Sequence, residues 1–284
     1  MFEWKKLSSD EKELYLNPKK SVPDYPIYQK NATKSAYEFR RTYNKKHINI
    51  TYGKRVNQKL DIFIPSNANK KFPVQLYFHG GYWIGRDKFD HSHIAGPAIT
   101  NNIIHVSVNY DLCPRVTLDI IVKETFECLE WIIQNISKYG GDTHNINLVG
   151  HSAGAHLVAM ALTKSYSINS FINSAVLISG IYQPQITRDI SINDIINISE
   201  KAINLTDVYK HSLIHNTNFL VITGDEEPEA WKLLSKNYCK WLKNKGINFE
   251  YFNAINLNHF SIVRDLSNQN TSLSKKVLKM CNKL

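Results

Sequence analysis

No stretch of this 284-residue sequence carries enough consecutive apolar residues to span a bilayer. The opening residues, MFEWKKLSSDEKELY, are charged throughout and lack an apolar segment of signal-peptide length. The four cysteines, Cys113, Cys128, Cys239 and Cys281, form no C-x-x-C pair. That spacing argues against a zinc site and against a disulfide framework, and for reduced thiols. These absences predict a soluble, cytoplasmic protein. A basic run is missing as well. The formal net charge is +10, but the lysines fall in scattered pairs such as Lys5-Lys6 and Lys275-Lys276, interleaved with acids. A solvated basic surface is expected, and no nucleic-acid partner. No linker, repeat or low-complexity segment divides the chain, so residues 1–284 are expected to form one domain.

What is present is an ordinary globular composition, 43% hydrophobic and 11% aromatic, enough to bury a substantial core. Short β-type runs recur at 48–53, 60–64, 74–79, 103–108, 146–151, 175–179, 219–223 and 249–252. From the third onward most are nearly continuous apolar runs, as in parallel strands covered on both faces. The first two are closer to alternation and suit an antiparallel edge. Between them, 116–138, 155–164, 230–246 and 272–281 have helical spacing. Strands alternating with helices predict an α/β fold with a mostly parallel central sheet and helices on both faces. Residues 1–45, rich in aromatics but poor in β pattern, read as a helical N-terminal cover, and 182–215 as a cap insertion.

Gly150-His151-Ser152-Ala153-Gly154 fits G-x-S-x-G directly after a strand-like run and directly before a helix-like one. That context marks a nucleophile elbow, in which only glycine lets neighbouring backbone pass the cramped turn. Ser152 is therefore the candidate nucleophile, and the amide of Ala153 would face a developing oxyanion. A lone G-x-S-x-G also occurs by chance; the flanking strand and helix favour the functional reading. His151 and His156 read as packing or pocket-wall residues.

A serine needs a base. His259, after the run 249–252 and the only histidine beyond residue 215, is preferred over an ordinary loop histidine. The acid is expected after the run 219–223, where Asp225, Glu226 and Glu227 are consecutive. One of them would orient the imidazole while the others are solvated or cap the next helix. An earlier strand-like run ends in His79-Gly80-Gly81-Tyr82-Trp83. Such a loop supplies further oxyanion donors, here assigned to the amides of Gly81 and Tyr82, with His79 as a brace.

HGGYW with Asp87-Lys88, NYDLCPRVTL (109–118), YGGD (139–142), GHSAGAHLVAMAL (150–162) and NHFSIV (258–263) make the sequence resemble the kynurenine formamidase (arylformamidase) branch of the α/β-hydrolases. Trp4, YLNP and SVPD near the start extend the resemblance over nearly the whole chain. It implies an α/β-hydrolase fold without a cofactor or metal, acting on an N-formyl aromatic amine such as N-formylkynurenine. The family's acid precedes a small residue and Pro-Glu-Phe; aligning on Pro228-Glu229 puts it at Glu226, with Asp225 as the alternative. Tyr82 and Trp83 would line an aryl pocket, or pack beneath the N-terminal cover.

A small-ester carboxylesterase would use the same residues. A non-catalytic binding protein has no reason to keep a full Ser–acid–His set. A metal-dependent amidohydrolase has only His91-x-His93 in its favour. The expected partner is a small-molecule substrate, with no membrane; a homodimer is left open.

Overall fold

The computed structural model describes residues 6–67, 71–163, 171–213 and 217–282. Eight strands form its frame: β1 (Lys46–Thr51), β2 (Lys59–Phe63), β3 (Phe72–Phe78), β4 (Ile104–Val108), β5 (Gly141–His151), β6 (Ile172–Ile178), β7 (Asn218–Gly224) and β8 (Phe249–Ala254). They lie in the order β1-β2-β4-β3-β5-β6-β7-β8. β1 runs antiparallel to β2 and β2 to β4, while the remaining pairs are parallel. The expected antiparallel edge is thus β1–β2, and β1 is largely solvent-facing.

The continuous apolar strands have a direct cause. Successive residues of a strand point to opposite faces, and here both faces are cores. Leu76 and Phe78 enter one core while Tyr77, between them, enters the other. Leu148 and Val149, Leu177 and Val176, and Val221 and Ile222 divide in the same way. Two cores require helices on both sides of the sheet.

The helices are α1 (Ser9–Leu16), α2 (Pro18–Ser21), α3 (Tyr25–Thr42), α4 (Ala95–Thr100), α5 (Leu118–Asn135), α6 (Ala153–Ala161), α7 (Asn193–Ile196), α8 (Glu200–Thr206), α9 (Glu229–Asn244), α10 (Ser261–Leu266) and α11 (Ser272–Cys281). α5, α6 and α9 deliver Phe126, Leu157 and Leu242 to the first core. α4, α10 and α11 deliver Ala98, Ile262 and Val277 to the second. α5 buries Ile121, Phe126, Leu129 and Ile132, one face of a helix, as its spacing predicts.

Residues 6–45 attach differently. α1, α2 and α3 bury only Leu16, Pro18 and Ala36. They are held by ring contacts such as Phe39–Phe63 and Tyr25–Phe260, with centroids 5.2 and 5.7 Å apart, and by polar contacts. Arg40 pairs with the fully buried Asp61, and Thr33 donates to Asp90 at 2.8 Å. Glu13 accepts from the amide and hydroxyl of Ser191 at 2.8 and 2.6 Å, joining the N-terminal helices to the segment 182–213. Trp4, invoked in the resemblance, lies outside the described residues.

Candidate active site

The ends of β3, β5 and β8 converge on one cavity, and the end of β7 lies behind it. β5 ends at His151, and the chain turns into α6 through Ser152, whose φ of 55° and ψ of −118° are non-helical. A non-glycine residue in this region costs about 1–3 kcal/mol and persists only where its surroundings over-determine it. The Ser152 amide donates to Ile178 O at 2.8 Å. A Cβ on Gly150 would stand 2.3 Å from Gly154 O, and one on Gly154 only 2.0 Å from Phe78 O. Both positions are therefore closed to any side chain, as the motif predicts.

The β3 end lies alongside. A Cβ on Gly80 would come within 3.0 Å of both Ser152 Cβ and His151 Nδ1. Gly81 has a φ of 122°, and Tyr82 and Trp83 also have positive φ. The amides of Gly81, Tyr82 and Ala153 have no acceptor among the described residues. His79 is fully buried, with Nδ1 2.8 Å from Gly80 O and Nε2 3.2 Å from the Asn109 side chain. Burial pushes its pKa down, so it braces the loop as a neutral ring. Asp87 accepts from Asn109 Nδ2 at 2.8 Å, and Lys88 Nζ sits 3.1 Å from Asp61. The Asp87-Lys88 pair thus pins the loop to β2 and the end of β4.

After β8, His259 turns its Nδ1 to Glu227 Oε2 at 3.0 Å. This corrects the sequence assignment of the acid. Glu226 is exposed, and Asp225 uses its carboxylate to accept from the Leu257 amide. Glu227 is only 2% exposed. Its other oxygen, Oε1, accepts from the Gly224 amide at 2.9 Å and from the Ser179 hydroxyl. The reason lies in the turn: Glu227 N donates back to Gly224 O at 3.3 Å, which carries the Glu227 side chain inward under the end of β7. Three carboxylates in a row cannot be ranked without that turn. Ser179, at φ 49° beyond the end of β6, escaped the sequence reading because nothing local distinguishes it.

Ser152 and His259, 2% and 3% exposed, line the same cavity of about 350 Å³. No Ser152–His259 hydrogen bond is formed among the described residues; bonds of this kind tighten when substrate binds. His151 lies between the two loops, its ring centroid 4.7 Å from that of His259. Trp231 of α9 flanks the imidazole on another side at 4.3 Å. The cavity roof comes from the N-terminal helices through Asn17, Tyr28 and Gln29, and from Ile192 and Ile195.

Of the two aromatics expected at an aryl pocket, Tyr82 lines the cavity and Trp83 does not. Trp83 is fully buried, edge-on to the rings of Tyr82 and His156. The consecutive positive φ values turn it beneath the loop, so its placement as a substrate contact is corrected. Tyr82 donates its hydroxyl to Leu16 O, tying the loop to the cover. His156, with Nε2 2.8 Å from Thr206 O, is a packing residue.

The BD-FAE family profile matches residues 60–239. A kynurenine formamidase from Danio rerio is 30% identical, covering 100% of this chain and 100% of the relative. The chain belongs to the kynurenine formamidase-like branch of the α/β-hydrolases. A solved protein from Silicibacter superposes on the hydrolase with a TM-score of 0.81 at 22% identity, covering 93% of this chain and 98% of its own. An esterase from Pyrobaculum calidifontis gives 0.71 at 18% identity, covering 90% and 91%. These likenesses establish the α/β-hydrolase fold. No described helix of the hydrolase is long and apolar enough to cross a membrane.

Proposed function

We propose that the hydrolase cleaves an N-formyl aromatic amide, of the N-formylkynurenine kind, to formate and the free amine. The carrying observation is the convergence of Ser152, His259 and Glu227 at strand ends beside three unpartnered amides, in a chain of the kynurenine formamidase-like branch.

Glu227 holds His259 by Nδ1–H, which leaves Nε2 to take the Ser152 proton as Oγ attacks the formyl carbon. The negative charge that develops on the formyl oxygen is met by the amides of Gly81, Tyr82 and Ala153, each worth a few kcal/mol. His259 then returns the proton to the amine nitrogen as the C–N bond breaks, leaving a formyl ester on Ser152. Water attacks that ester, gives its proton to His259, and formate departs as Ser152 is reprotonated. A formyl group carries only hydrogen beyond its carbonyl, so the acyl side demands little room and the cavity is free for the amine.

The second reading is a carboxylesterase on small esters, supported by the esterase from Pyrobaculum calidifontis among the structural neighbours. The deciding experiment is kcat/KM for N-formylkynurenine and formanilide against phenyl acetate. A preference for the esters by more than ten-fold would replace the formamidase reading.

A further inference from the structure

The cavity above Ser152 is charged on one side only. Among its described lining residues the ionic side chains are Lys19 and Arg86, and no aspartate or glutamate is present. Arg86 follows Gly85 on the loop that carries Gly80 and Gly81. Its φ is 75°, a left-handed backbone that an arginine adopts only when its surroundings force it, at a cost of about 1–3 kcal/mol. The loop retains this strain at a residue whose side chain packs beneath Gly81: a Cβ there would meet Arg86 Cγ at 3.0 Å.

The guanidinium is only partly used. Its Nε lies 3.4 Å from Asp90, whose carboxylate also accepts from Thr33 Oγ1 at 2.8 Å and from the Asp87 amide at 3.2 Å. The two terminal nitrogens of Arg86 make no hydrogen bond among the described residues, yet the residue borders the cavity. A second cavity residue is unsatisfied too. Both ring nitrogens of His91, a side chain 6% exposed, are buried and without a partner. Lys19 stands exposed at the rim, its ammonium 5.6 Å from the centre of the Tyr25 ring.

We infer that Arg86, with His91 beside it and Lys19 at the rim, forms a carboxylate subsite, and that the preferred substrate is an aryl formamide with net negative charge. The inference rests on the formamidase reading above and narrows it. A guanidinium with two free N–H edges suits a carboxylate, which it binds through paired charge-assisted hydrogen bonds. No carboxylate among the described lining residues is available to receive an ammonium group. A zwitterionic amine should therefore be a poorer substrate than a plain aryl carboxylate of similar size.

The test compares kcat/KM for 3-formamidobenzoate, its neutral isostere 3-formamidobenzamide, and zwitterionic N-formylkynurenine. The intact chain should favour the benzoate by ten-fold or more over the benzamide, and over N-formylkynurenine as well. In R86Q the benzoate-to-benzamide ratio should collapse towards unity, and R86K should restore part of it. For the intact chain the ratio should also fall as ionic strength rises, because exposed charges are screened. Equal losses on both compounds in R86Q would mean a structural role only and would overturn the subsite; a preference for N-formylkynurenine, which has a carboxylate of its own, would overturn the requirement for net negative charge. If every formamide is inert while phenyl acetate is cleaved, the formamidase reading fails by itself. The subsite is then judged on 3-acetoxybenzoate against phenyl acetate, with the same ratio and the same variant.

Discussion

The floor and the roof of the cavity are built by different physics. The floor consists of strand ends whose positions follow from close packing. Ser152 and His79 are almost wholly buried, and Gly150 and Gly154 admit no Cβ at all. The roof consists of α1–α3 and the segment around Ile192 and Ile195. The helices α1–α3 bury few residues and are tied down by Arg40–Asp61, Thr33–Asp90 and Glu13–Ser191, while the other segment anchors Ile192 and Ile196 in the first core. Rigid floors position reacting atoms; roofs held by polar contacts tolerate change and shape what binds.

The largest effects should come from the floor. Ser152→Ala and His259→Ala should each lower kcat/KM by about 10⁴-fold or more with far-UV circular dichroism intact. Near-normal turnover in either would break the proposed mechanism. Glu227→Gln should cost about 10²–10⁴-fold, whereas Glu226→Gln should stay within about three-fold, since an exposed carboxylate orients nothing. Were the two reversed, the turn after Gly224 would not be the one that matters.

Next in size is the packing that holds the elbow. Gly154→Ala forces a methyl group into Phe78 O and should cost about 3–5 kcal/mol in urea unfolding, or prevent folding altogether. A stability loss under 1 kcal/mol would show that the elbow can shift.

The histidines around the floor predict an acid sensitivity that sets in above the carboxylate range. Burial depresses His79, His91 and His151, takes His93 and His156 down to about 4, and takes His105 to about 3. Their folded values lie below the ordinary value of about 6.5, so below that pH the unfolded chain binds more protons. The stability is complete above pH 6.5 and is lost as pH falls towards 4, by about 1 kcal/mol per histidine per pH unit. Glu124, which burial raises to about 7, acts in the opposite sense: its contribution is present at low pH and lost as pH rises through that value. Asp207, also raised by burial, acts in the same sense as Glu124, but the six histidines outnumber these two carboxyls, so the urea midpoint should fall between pH 7 and pH 5. A flat profile would contradict the depressed values.

The smallest effects should come from the roof. Tyr82→Phe removes the hydroxyl that reaches Leu16 O and should cost about 1 kcal/mol. It should raise KM more than it lowers kcat. A loss mainly in kcat would erase the distinction between floor and roof.

The same contrast explains what could be read in advance. Gly150, Ser152 and Gly154 were legible because a steric requirement acts on neighbours in the chain: strand, tight turn, helix. The parallel sheet was legible from nearly continuous apolar runs such as VQLYFH, since two covered faces favour apolar residues at most positions. His259 followed from order along the chain. The acid was not legible, because Asp225, Glu226 and Glu227 differ only in how one turn folds back on Gly224. Trp83 was misjudged for a related reason: its direction depends on φ values imposed by the packing of the whole loop. Ser179 and Arg86 gained their settings only when β6, β7 and the β3 loop came together. Local sterics and periodicity are written in neighbouring residues, so the sequence by itself determined the fold class and singled out Ser152 and His259 as the candidate nucleophile and base. Which carboxylate meets the imidazole, and which side chains face the cavity, depend on contacts between residues far apart in the chain, and only the tertiary structure decided them.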